Sequence, residues 1–294
     1  MHNHNHAHHQ DASSDRIGLA FLLNVTFTVI EFIGGYLTNS TAIMADAVHD
    51  LGDSLAIGSA WVLNRLGKKA ADTEFTYGYR RLSLFGALLN GVVLLVGSVW
   101  VLSEAIPRLA NPVMPMAEGM LALAVLGVSV NGYAAYKLSH GSTLNERVLN
   151  WHLLEDVLGW VAVLIVSIVL QFKHWPILDP VLSIGFTLFI LFNVFKNLGA
   201  TMKLFFQAVP DKDLLEKIRG TLLSIGGINE VHHLHLWSLD GEHHVLTAHV
   251  VVSSSLESGK HRELRSQIGQ GLGEYNLNHT TIEIELADEE CRDA

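Results

Sequence analysis

Cysteine is nearly absent, with Cys291 alone among 294 residues. That excludes a disulfide framework, and with it any cysteine-based zinc or iron–sulfur site within one chain. Charge is scarce too: 16% of residues are charged against 49% hydrophobic, and the mean hydropathy is +0.31. The chain is too apolar for an ordinary soluble domain of this length, so it reads as a membrane protein. Basic residues are the scarcer sign, 19 against 29 acidic, and a net charge of −10 argues against a nucleic-acid partner. Neither HExxH nor GxxxxGK[ST] occurs, which removes the usual zinc protease and the phosphate loop of an ATP-driven pump; nothing in the sequence calls for an enzyme.

The acid is unevenly spread. Residues 205–294 hold 15 Asp and Glu against 7 Lys and Arg, so −8 of the −10 sits in the last third. Before it lie six apolar stretches, at 17–38, 42–64, 84–106, 117–138, 147–171 and 178–200. Each approaches the roughly 20 residues that cross a hydrocarbon core about 30 Å thick. Met1–Gln10 is polar and histidine-rich, which predicts no cleavable signal peptide. Arg16, Arg65, Lys68, Lys69, Arg80, Arg81, Lys137, Arg147 and Lys203 fall on one side of the six spans, and Arg108 and Lys173 on the other. Both termini are therefore expected in the cytoplasm.

Past Val209-Pro210 the pattern becomes that of a small soluble domain. Asp211–Ile225 has helical spacing and stops at Gly226-Gly227. Val231–Trp237 and Val245–Val252 read as strands, Ser258–Tyr275 as an amphipathic helix, and Thr280–Leu286 as a strict period-two strand. The expected fold is an α-helical membrane protein of six spans followed by an αββαβ domain of the α+β class. The boundaries read as a disordered histidine-rich tail over 1–15, a transmembrane domain over 16–207 and a cytoplasmic domain over 208–294.

Span two carries Asp46, His49, Asp50 and Asp53, and a carboxylate at mid-bilayer costs several kcal/mol unless it is partnered or reached by water. His49 and Asp53 stand at i and i+4 and share a helix face; His152 and Asp156 repeat the spacing in span five. Two imidazoles and two carboxylates suit a tetrahedral Zn²⁺. Each pair lies about ten residues into its span, from opposite sides, hence about 15 Å deep, so the two meet near the midplane. The plainer reading is that the four only lock two helices together. Asp46 and Asp50 read as turned off the His49 face, toward a water-lined entrance or a helix end. Asn24 and Glu31, seven residues apart on one face of span one, read either as lining the same polar path or as packing.

These residues, with Tyr77-Gly78-Tyr79-Arg80-Arg81, Asp179-Pro180 and Val231-His232-His233-Leu234-His235-Leu236-Trp237-Ser238, resemble the cation diffusion facilitator family over about residues 15–287. The double HxxxD form is similar to its zinc-efflux branch. The resemblance implies a homodimeric Zn²⁺/H⁺ antiporter, with Cd²⁺ a further candidate cargo. It also implies a multi-pass protein of the bacterial inner membrane in contact with lipid, with cytoplasmic termini and a metallochaperone-like soluble domain. It assigns transport to His49, Asp53, His152 and Asp156, with His49 favouring zinc over manganese or iron. It also matches His232, His249 and Glu285 to a cytoplasmic metal site holding regulatory zinc, with His279 nearby in sequence. Strict alternation, however, would put His232 on the face of Leu234 and Leu236, as a surface or core-edge histidine. His235 and Trp237 read as packing between strands.

Two family features are missing. Phe75 and Tyr79 stand where some relatives have histidines of a second site, and His140-Gly141-Ser142-Thr143 replaces a histidine-rich loop. His2, His4, His6, His8 and His9 instead form a tail that either gathers zinc or is dispensable. The alternative overall reading is a membrane-anchored metal sensor.

Overall fold

The structure is a computed structural model. It describes the backbone of residues 6–67, 69–138, 144–253 and 258–293, and the side chains among these except 6–20, 60, 61, 64, 65, 67, 137, 138, 144–152 and 258–260. The histidine side chains of the first nine residues and the 140–143 loop therefore lie outside the described residues. The chain divides into two compact units, residues 1–62 with 86–198, and residues 63–85 with 199–294. The second unit takes the loop before α3 and the end of α6 along with the soluble segment.

Six long helices make up the apolar part: α1 (His6–Thr38), α2 (Thr41–Gly67), α3 (Leu82–Ala110), α4 (Ala117–Leu138), α5 (Leu144–Phe172) and α6 (Leu178–Phe205). The backbone of α1 takes in residues 6–15 of the expected tail. Five of the six are long and apolar enough to cross a membrane; α2 has the length, and its acidic residues keep it below that apolarity. Large apolar side chains such as Leu158 and Phe192 are about 70% exposed, an outward apolar surface suited to lipid. Inside, Trp160 of α5 is buried among Ile43, Met120 and Val163 and meets Phe27 of α1 edge to face at 5.9 Å. Gly127 makes this possible, because a methyl group there would overlap the indole of Trp160.

The start of α2 is fixed from a distant part of the chain. Asp179, at the first turn of α6 and 1% exposed, accepts hydrogen bonds from Ser40 Oγ, from Thr41 N (2.7 Å) and Oγ1 (2.8 Å), and from Ala42 N (3.2 Å). Ser183 Oγ, one turn on, donates to the Thr41 carbonyl at 2.9 Å. Asp179 thus supplies the acceptor that the first N–H groups of a helix lack, and places a negative charge at the positive end of its dipole.

The soluble part holds α7 (Lys212–Ser224), β1 (Ile228–Ser238), β2 (His244–Val252), α8 (Ser258–Leu272) and β3 (Leu277–Leu286). Asp211 caps α7 by accepting from Asp213 N and Leu214 N, and the chain turns out of it through Gly227 at φ +99°. The sheet order is β1-β2-β3, antiparallel between β1 and β2 and parallel between β2 and β3, with α8 as the crossover. Leu246, Ala248, Val250 and Val252 of β2 face Ile218 and Leu222 of α7 and Leu264 and Ile268 of α8 in one core. The alternate residues, His249 of β2 with Glu283 and Glu285 of β3, consequently lie on the sheet face away from the helices.

Candidate metal centres

The membrane helices bring together three of the four residues of the HxxxD pairs. His49 Nε2 is 3.8 Å from Asp53 Oδ2 on its own helix and 3.7 Å from Asp156 Oδ1 on α5. Donor atoms about 2.0–2.1 Å from one tetrahedral zinc stand about 3.3 Å apart, so this spacing is close to that of a shared ion and long for a hydrogen bond. His152 is on α5 one turn before Asp156; its side chain lies outside the described residues. A cavity of about 240 Å³ opens onto the cluster, walled by Asp46, His49, Glu155 and Asp156 on its polar side and by Phe186, Phe189 and Ile190 on its apolar side.

Asp46 corrects the reading from spacing. It precedes His49 by three residues, which on a helix is the neighbouring position, so it lines the same cavity instead of facing away. Its Oδ2 is buried with no hydrogen-bond partner among the described residues. Asp50 is 7% exposed, and Glu31 on α1 is 1% exposed, with neither of its carboxylate oxygens hydrogen-bonded among the described residues. Asn24 donates to the Asp50 carbonyl at 3.3 Å and to Ser54 Oγ at 3.1 Å, so it ties α1 to α2.

The second cluster lies on the helix-free face of the sheet. His232 of β1 stands opposite His249 of β2 in the register. His249 Nδ1 lies 2.7 Å from Glu285 Oε1, and His232 Nε2 lies 2.9 Å from Glu285 Oε2. All three predicted residues are therefore brought together. A β-bulge achieves this for His232. The register slips between His232 and His235, and His233 adopts φ +44°, so Val231, Leu234 and Leu236 face the core and His232 does not. Strict alternation, which put His232 on the face of Leu234 and Leu236, fails because it assumes an unbroken strand.

Cys291 joins the group, so the lone cysteine stands where it can be one ligand of a mixed site, an arrangement that the exclusion of cysteine-based sites leaves out. Its Sγ is 3.5 Å from His249 Nδ1, and one donor atom from each of His232, His249, Glu285 and Cys291 lies within 4.8 Å of the others. A lone cysteine cannot build a multi-thiolate site, but it can supply one ligand of a mixed one. The tail after β3 turns back, with Glu289 N–H donating to the Leu286 carbonyl at 3.0 Å. Glu283 and Asp293 stand 3.7 and 3.5 Å from His249 Nε2 and add negative charge around the group. Burial pushes the Glu285 carboxyl up, but hydrogen bonds from Cys291 and His249 outweigh it and leave it below the ordinary carboxylate range. Burial raises the Cys291 thiol, and the Glu285 carboxylate adds to that. His279 lies elsewhere, edge-on to the Tyr77 ring at 5.3 Å, and His235 is exposed opposite Thr247. In the loop before α3, Phe75 and Tyr79 stack at 4.6 Å, and Tyr79 Oη donates to Asp72 at 2.6 Å.

Comparison with known sequences accounts for both parts. Residues 17–204 match the cation efflux transmembrane domain, and residues 210–287 the cation efflux protein cytoplasmic domain. The chain belongs to the cation efflux family. It is a multi-pass integral membrane protein with a C-terminal α+β domain. Zinc transporter ZitB of Pectobacterium atrosepticum is 32% identical over 98% of this chain and 91% of its own length. The cadmium, cobalt and zinc/H(+)-K(+) antiporter of Bacillus subtilis is 30% identical over 95% and 91%, and the metal cation efflux system protein CzcD of Cupriavidus metallidurans 30% over 98% and 92%.

Proposed function

We propose that this chain is a homodimeric antiporter that exports Zn²⁺ from the cytoplasm in exchange for protons, through His49, Asp53, His152 and Asp156. The observation that carries the reading is the approach of His49 to both Asp53 and Asp156 across two helices beside a cavity. His152, one turn from Asp156, is the remaining nitrogen donor. The names of relatives, a zinc transporter and a cadmium, cobalt and zinc antiporter, support the cargo, with Cd²⁺ second. The distribution of Lys and Arg supports cytoplasmic termini, in the inner membrane of a bacterium.

The mechanism follows from ligand chemistry. Imidazole and carboxylate bind metal only when deprotonated, so Zn²⁺ entering from the cytoplasm expels protons. Protons arriving from the other side compete the ion off, and histidine is the group whose ordinary pKa near 6.5 suits that exchange. Rocking of the helices changes which side reaches the site. At the soluble cluster, two imidazoles, a carboxylate and a thiol form a donor set suited to tetrahedral zinc, which there is a resident regulatory ligand.

Uptake of ⁶⁵Zn by proteoliposomes with an imposed pH gradient tests the proposal: uptake should follow the gradient and collapse with a protonophore. Zinc movement indifferent to the gradient would overturn the proton coupling. The second reading, a membrane-anchored sensor, draws on the soluble cluster; it predicts zinc binding there and no zinc movement.

A further inference from the structure

The second unit contains a pocket that neither metal centre uses. It encloses about 90 Å³ between the loop before α3, the segment after α6 and the end of β1, and its walls include Tyr77, Arg80, Arg81, Gln207 and Trp237. Arg80 and Arg81 directly precede the membrane span that begins at Leu82, and Gln207 follows by two residues the span that ends at Phe205. Side chains this close to the ends of spans lie at headgroup depth, where tryptophan and arginine are the usual anchors.

The loop is built so that the two arginines keep their charge unspent. Of its two acids, Glu74 makes no ion pair with either arginine among the described residues, and Asp72 is occupied: it accepts from Tyr79 Oη at 2.6 Å, Lys69 Nζ at 3.2 Å, Phe75 N at 2.8 Å and Glu74 N at 3.0 Å. Gly78, at φ +77°, turns the chain there, and the Tyr77 ring is braced against His279. Among the described residues neither guanidinium has a carboxylate within ion-pair distance. Immediately before Gln207 in the chain, Phe206 is 77% exposed and Phe205 39%.

We propose that this pocket binds the phosphate of an anionic phospholipid. Two guanidinium forks match the oxygens of a phosphodiester, Trp237 offers an amphipathic wall at headgroup depth, and the exposed Phe205 and Phe206 lie where acyl chains begin. A free phosphate would use the same two arginines but would leave the phenylalanines bare, which is why a lipid is the occupant.

The test uses the full-length protein in detergent and in nanodiscs. Native mass spectrometry should show phosphatidylglycerol retained over phosphatidylcholine, and phosphatidylglycerol should raise the melting temperature relative to phosphatidylcholine. Arg80→Gln with Arg81→Gln should weaken that retention about 30-fold, from two basic contacts to anionic lipid. Lys212→Gln with Lys217→Gln, which removes the same charge from α7, should not weaken it. Inorganic phosphate at millimolar concentration should not displace the lipid. A wild-type protein without preference for phosphatidylglycerol overturns the proposal whatever the variants do. Equal loss in the α7 variant would make the effect one of general charge, and displacement by inorganic phosphate would make the pocket a free-anion site; either refutes it.

Discussion

Asp179 joins two helices that share no local sequence, and removing it should reach the proposed transport site. Its carboxylate takes four hydrogen bonds from Ser40, Thr41 and Ala42, all within a region no more than 3% exposed. Asp179→Ala strands two backbone N–H groups at the start of α2, at about 1–3 kcal/mol each for a buried unsatisfied donor. The lost charge at the helix end adds about 0.5–1 kcal/mol, while the two hydroxyls can turn to other acceptors and removing the buried carboxylate returns part of its desolvation cost. A net loss of about 3 kcal/mol is expected, or a fall of about 6–12 °C in melting temperature. The functional effect follows because Thr41 sets the register of α2, and His49 lies eight residues further along it. A shift of about 1 Å there is enough to cost on the order of 100-fold in a site that depends on geometry. Asp179→Asn, which keeps one acceptor, should fall between. Thermal melts and ⁶⁵Zn transport of the same preparations decide it: an alanine variant that melts with the wild type and transports normally would show that this carboxylate does not hold α2.

Asp53→Ala and Asp156→Ala should each abolish zinc transport while leaving the protein inserted; near-normal ⁶⁵Zn uptake by both would remove these pairs from the transport site. His49→Asp exchanges a borderline nitrogen for a hard oxygen, so Mn²⁺ should gain on Zn²⁺ in a competition assay; an unchanged ratio would mean that His49 is no ligand. Cys291→Ser, in an Asp53→Ala Asp156→Ala background that silences the membrane site, should weaken zinc binding at least tenfold. Because the half-buried thiol is raised and must lose its proton to bind, zinc affinity of the unsubstituted cluster should fall more steeply from pH 8 to pH 6 than that of the serine variant; parallel titrations would exclude Cys291 as a ligand. Asp240 is held below its ordinary pKa: burial opposes this, but hydrogen bonds from the His243 and Glu242 backbone and the His243 ring prevail. A depressed carboxylate stabilises the fold above its unfolded pKa of about 3.9, and that contribution is lost as pH falls through the lower folded value. Asp240→Asn should therefore flatten the acid limb of the thermal stability curve below about pH 4, and an unaltered limb would refute this.

Periodicity was enough for the six helices and the αββαβ order because both rest on local alternation between faces. Helical spacing alone brings His49 and Asp53 within 3.8 Å, because four residues is about one turn. Periodicity failed where the chain meets itself from far away. The cap on α2 comes from a residue 138 positions later than Thr41. Cys291 reaches His249, 42 positions before it, only because the tail turns back after β3. The bulge at His233 requires φ +44°, which no composition signal announces, and it reverses the facing of His232. Helix boundaries follow the chemistry more closely: Gly226-Gly227 marks the stop of α7, and the helix ends at Ser224 with Gly227 at positive φ.

Among the described residues, the membrane helix least suited to lipid is also the one most enclosed by protein. Asp46, Asp50 and Asp53 keep α2 below the apolarity that the other five reach. Yet Ala42, Ile43, Ala45, Ala47 and Val48 are at most 3% exposed, whereas the strongly apolar α3 and α6 turn Phe85, Val96 and Phe192 outward. Gly97 of α3 permits this enclosure, since a methyl group there would come within 2.6 Å of Val48. Small residues let helices approach in lipid, and close approach shields the carboxylates of α2 from hydrocarbon, with Asp46 lining a protein-walled cavity and Asp50 buried. Low hydropathy in the second span and tight packing around it are therefore two sides of one requirement. A set of acids can be kept inside a span only when neighbouring helices shield it from lipid and a cation or protons offset its charge, and that is the condition the proposed exchange of one for the other requires.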